Sequence, residues 1–135
     1  MTPAELTPAQ RQEIEEAEVR EIVADAADER AALRALLSSR SSVYRTWEDR
    51  WSDLRSVGDD LGGFVVVETI EDEPRRWSRA VSVITRGPSG THYRWSFDQG
   101  LTEMQEDSVL DLDPELVEQH EETVVVRSWR AASSA

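Results

Sequence analysis

The hydrophobic period of this chain changes once, near residue 63, and the change predicts an α+β fold with its helices ahead of an antiparallel sheet. After Thr7-Pro8-Ala9-Gln10, no glycine or proline occurs until Gly58. Thr7 suits an N-cap, Pro8 the first helical position, and Gln10 the third position that completes a capping box. Val19, Ile22, Ala26, Leu33 and Leu36 follow 3-4 spacing, with Ile14, Val23 and Leu37 widening the stripe. One slot of that series is not apolar: it holds Glu29. The spacing predicts a single long helix over 8–38, roughly 45 Å at about 1.5 Å per residue. Its narrow, Ala-rich stripe predicts a partner. After the serine-rich 38–42, Val43, Trp47, Trp51 and Leu54 fall on one face of a second helix over 43–57. The glycines from Gly58 to Gly63 then end it.

From Phe64 the pattern is that of strands. Residues 64–70 and 80–85 are β-rich runs, and 86–90 reads as a turn into a third run over 91–97. In that run Tyr93, Trp95 and Phe97 alternate with His92, Arg94 and Ser96, one set on each face. Asp113-Pro114 predicts a capped short helix over 114–121, and Thr123 to Trp129 a fourth strand. The expectation is one domain: a helical region over 1–63, a four-stranded, mainly antiparallel sheet region over 64–130, and a tail over 131–135.

Composition bounds the habitat. The chain has no Lys, Asn or Cys, and all 15 basic residues are Arg. Lys and Asn share AAN codons, so their joint loss points to a GC-rich genome. Codon bias does not explain 28 Asp and Glu and a net charge of −13. Adaptation to molar intracellular salt does, because a Debye length of about 3 Å at 1 M screens the self-repulsion. A haloarchaeal-type host, or a virus replicating in one, is expected. The first residues show neither a basic n-region nor an apolar stretch, and no apolar run reaches the roughly 20 residues of a membrane span. A cytoplasmic or virion location without a membrane partner is therefore expected.

The missing residue types exclude mechanisms. Without Lys there is no Walker A lysine, Schiff base or Ser-x-x-Lys nucleophile. Without Cys there is no thiol catalysis and no thiolate zinc site. His92 and His120 are read as surface histidines, because no spacing pairs either with a nucleophile. Asp111, Asp113, Glu115 and Glu122 fit positions 1, 3, 5 and 12 of a calcium loop, but Leu116 stands where glycine is required and Pro114 interrupts. No catalytic residue, cofactor or metal is expected.

Two features point to partners. Arg75, Arg76 and Arg79 surround Trp77 in the only basic cluster. They read either as a hairpin with local salt bridges or as a patch that grips phosphate and stacks on bases. The second feature is the stripe Val19, Ile22, Ala26, Leu33 and Leu36, longer than a domain of about 70 residues would cover. The expected function is a non-enzymatic structural or assembly protein making subunit–subunit contacts as a homo-oligomer or with assembly neighbours. A virion head–tail or tail component is its concrete form. The alternative is an acidic regulator or inhibitor of nucleic-acid machinery, acting as a DNA mimic through 101–122 or through the Arg patch.

Overall fold

The computed structural model describes residues 5–44, 49–102 and 105–132. Its first helix, α1 (Pro8–Asp25), starts as expected. Thr7 Oγ1 accepts the Gln10 N–H, and Gln10 Oε1 accepts the Thr7 N–H at 2.9 Å. The helix does not reach residue 38. Ala26 is extended, at φ −74° and ψ 145°, and Asp28 opens a second helix, α2 (Glu29–Leu37), by accepting the Ala31 N–H at 2.8 Å. The expected single rod is thus two helices. The break falls beside Glu29, the polar member of the apolar series, and needs neither Gly nor Pro because an Asp cap supplies it. Once split, both helices can lay their apolar sides on one sheet. Val19, Leu33 and Leu36 are buried there, with Ile22 and Ala26 packed against the same cluster. The stripe expected to meet a neighbouring subunit closes the chain's own core.

Among the described residues the second predicted helix, 43–57, is a five-residue 3-10 helix, Arg50–Leu54. Three residues per turn place Trp51 and Leu54 above one another, and both are buried. Trp51 meets Trp95 edge-on at 6.5 Å and Phe97 at 5.6 Å, fastening this turn to the sheet. Trp47 lies outside the described residues.

Among the described residues the sheet has five strands rather than four, β1 (Asp60–Leu61), β2 (Phe64–Glu71), β3 (Ser78–Arg86), β4 (His92–Gly100) and β5 (Ser108–Val117), in sequence order and antiparallel throughout. Gly62 and Gly63 have positive φ and turn β1 into β2. A Cβ on Gly62 would stand 3.0–3.2 Å from Leu36, Val19 and Val23, so the hairpin approaches the helices too closely for a side chain. Tyr93, Trp95 and Phe97 face the helices and are buried, as their alternation predicts. The buried indole N–H of Trp95 donates to Thr85 Oγ1 at 3.1 Å.

Two expectations near the acidic end are overturned. Residues 114–117 belong to β5, not to a helix. Asp113, the expected cap, pairs instead with Arg34 of α2 at 2.8 Å, and Arg30 Nε donates to the Pro114 carbonyl. Leu112 packs on the core and Pro114 is fully buried, a period of two that the tertiary contacts favour over a helix. Proline is tolerated because β5 is an edge strand. Residues 123–129 do not form the expected fourth strand, and Trp129 at its end is fully exposed.

Candidate functional site

The hairpin between β2 and β3 brings Arg75, Arg76, Trp77 and Arg79 to one end of the sheet. Arg75 pairs with Asp98 and Arg79 with Glu71, the latter at 2.9 Å. Arg76 lies over the Trp77 ring at 4.8 Å, and Trp77 is half exposed. Two of the three cations are therefore neutralised, leaving the Arg76–Trp77 stack as the accessible feature.

The helices cover one face of the sheet, so the other is open. Strand register arranges that open face in rows: Val65, Arg86, His92 and Val117, then Glu68, Ile84, Arg94 and Glu115, then Ile70, Ser82, Ser96 and Asp111. A groove of about 590 Å³ runs over the first two rows, and Val117 to His120 form one of its walls. Both histidines line it, a juxtaposition that the sequence spacing did not reveal. Arg94 bonds to Glu115, and Glu68 and Glu118 line the groove with Arg86 and Arg94, so carboxylates offset its arginines. Among the described residues neither histidine hydrogen-bonds to a carboxylate or hydroxyl, and no group of three or more His, Asp or Glu converges on a metal position.

Two polar clusters missed by sequence reasoning hold the fold together. Arg50, 2% exposed at its side chain, donates to both oxygens of Glu15 at 2.7 and 3.0 Å, to Glu18 at 3.0 Å and to Ser39 Oγ at 2.9 Å. The Arg50 hydrogen bonds hold Glu15 below the usual carboxylate range against the opposing effect of burial. Nearby Asp53 is pushed up by burial and by the charge of Glu15. The second cluster centres on Glu29, which accepts from Ser89 N at 3.0 Å, Ser89 Oγ at 2.7 Å and Tyr93 Oη at 3.0 Å. Glu29 is the one member with a sequence signal, being the charge inside an apolar series.

The remaining feature is the arm, residues 118–132. Among the described residues it makes no hydrogen bond and joins no strand. Val124, Val125 and Val126 are 74–84% exposed and Trp129 wholly so. A run of Thr-Val-Val-Val-Arg-Ser-Trp has the composition of a buried strand, yet here it contacts solvent.

These features define a two-layer α+β module with one open sheet face, an edge strand and an unpaired β-prone arm. Compared with protein-family models, curated proteins and solved structures, the chain matches none. Among the described residues no helix is long and apolar enough to cross a membrane.

Proposed function

We propose that this chain is a non-enzymatic assembly protein whose subunit contacts are made by the arm. The observation that carries this reading is the exposure of Val124, Val125, Val126 and Trp129 on a segment without a strand partner. Single exposed apolar residues are ordinary, but four within six positions of one β-prone segment are the signature of an interaction element. The long-helix route to assembly has less support, since Val19, Leu33 and Leu36 are buried in the chain's own core and Ile22 and Ala26 pack against it. In its finer form the protein is a structural component in a high-salt host, such as a virion head–tail or tail part. The support for that form is compositional: a net charge of −13 with no Lys.

Regulation of nucleic-acid machinery has weaker support. Arg75 and Arg79 already hold carboxylates, which lowers their value as phosphate ligands. The acidic strand that would mimic DNA is partly neutralised by Arg34 and Arg94.

Light scattering after size exclusion, in about 2 M KCl to screen repulsion, tests the assembly reading on the full chain and on a chain ending at Glu122. The full chain should exceed the 15.3 kDa of one copy and the shortened one should not. Equal masses at one copy for both would sink the reading.

A further inference from the structure

Resting on the assembly role proposed above, we infer that the arm of one copy adds as an antiparallel strand to Ser108–Leu112 of β5 in a second copy, reciprocally about a twofold axis. Among the described residues β5 ends the sheet, so one side of its backbone faces no neighbouring strand. Part of that edge is already occupied. The Pro114 carbonyl accepts from Arg30 and the Asp113 N–H donates to the Asp111 carboxylate, which leaves 108–112 as the open stretch. Val109 and Leu110 are about half exposed there, matching the apolar run of the arm.

Charge selects the same pairing. Around the open stretch Glu106 and Asp111 have no arginine partner among the described residues, whereas Asp107 is held by Arg55 and Asp113 by Arg34. The arm brings Arg127 and Arg130, neither of which has a carboxylate partner among the described residues. The bulges between β4 and β5, together with Pro114, blunt the edge against indiscriminate strands. A partner must therefore bring matching charge: with Val125 opposite Leu110, Arg127 stands opposite Ser108 and diagonal to Glu106.

Tethering favours a second copy over the chain's own sheet. A chain that reverses after Val117 through the five residues 118–122 sets Val124 opposite Leu116 and Val126 opposite Pro114. It meets the occupied stretch before it can reach Leu112. An arm arriving from another copy pairs with 108–112 directly. Reciprocal pairing then closes the assembly as a dimer.

The chain contains no cysteine, so introduced thiols report this contact without interference. Leu110→Cys and Val125→Cys, prepared separately, mixed and oxidised, should give a disulfide-linked heterodimer. Val57→Cys, an exposed control on the loop ahead of β1, should give none with Val125→Cys. Arg127→Glu should weaken the dimer at least about tenfold, a change of about 1.4 kcal/mol, and adding Glu106→Arg should restore it. If the shortened chain loses its dimer but Leu110→Cys and Val125→Cys do not link, the arm binds elsewhere; this inference falls and the assembly role stands. A Leu110→Cys/Val125→Cys double variant that closes only within one copy also overturns it. Failure of both the truncation and the cross-link removes the assembly role as well.

Discussion

Glu29 shows how much one carboxylate can organise. Its oxygens receive the Ser89 N–H, the Ser89 hydroxyl and the Tyr93 phenol, tying the start of α2 to the turn between β3 and β4. Gly87 lies so close that a Cβ there would stand 2.2 Å from Glu29 Oε1. Burial alone would raise the Glu29 pKa, but the hydrogen bonds from Ser89 and Tyr93 outweigh it and hold the group low. Tyr93 moves the other way, pushed up to about 12 by burial and then by the Glu29 hydrogen bond and charge. A phenol whose folded pKa exceeds its unfolded value of about 10 stabilises fully below pH 10. That contribution is lost as pH rises through the folded value. The urea midpoint should therefore fall between about pH 10 and 12, by a loss of about 1–3 kcal/mol. In Tyr93→Phe that alkaline limb should be nearly flat. An unchanged alkaline slope in the variant would show that Tyr93 does not carry the effect.

At the scale of elements, the helices are positioned by buried charge as well as by apolar contact. Arg50 joins α1, the segment around Ser39 and the 3-10 helix through four side-chain hydrogen bonds made almost out of solvent. Removing one member of such a cluster leaves buried charge uncompensated, at a cost of about 3–5 kcal/mol. Glu15 and Glu18 retain some solvent contact, which places Arg50→Ala toward the low end, about 3 kcal/mol. Because the damage comes from orphaned carboxylates, Glu15→Gln in the Arg50→Ala background should recover part of it. Chemical denaturation of the single and double variants measures both. A loss under about 1 kcal/mol for Arg50→Ala would mean that Glu15 and Glu18 simply turn to water.

For the whole molecule, charge is unevenly distributed: residues 101–122 hold nine acids and no Arg, whereas 64–100 hold five of each. Much of the acidic excess on β5 faces solvent, with Asp113 and Glu115 held by arginines. A net charge of −13 on one small domain repels itself, and screening relieves that strain. The thermal midpoint should rise by several degrees, on the order of 5–10 °C, between about 0.1 and 2 M KCl. A midpoint that is flat or falls with salt would remove the high-salt reading. Several larger choices were legible before folding. The period switch near residue 63, the Thr7 capping box and the 92–97 alternation each reflect contacts within a few residues or within one strand. The composition likewise carried the charge argument, because charge sums without regard to fold. What only the tertiary structure decided lies where distant groups compete for the same local signal. Asp113-Pro114 looks like a helix cap until Arg30 and Arg34, some 80 residues earlier, take its groups into an edge strand. Asp28 could sit within a long helix, but a sheet wide enough for two short ones makes its cap the better use. Thr123 to Trp129 has the residues of a strand and remains unpaired among the described residues, because the stretch of β5 within reach of its short connection is already taken by Arg30 and the Asp111 carboxylate.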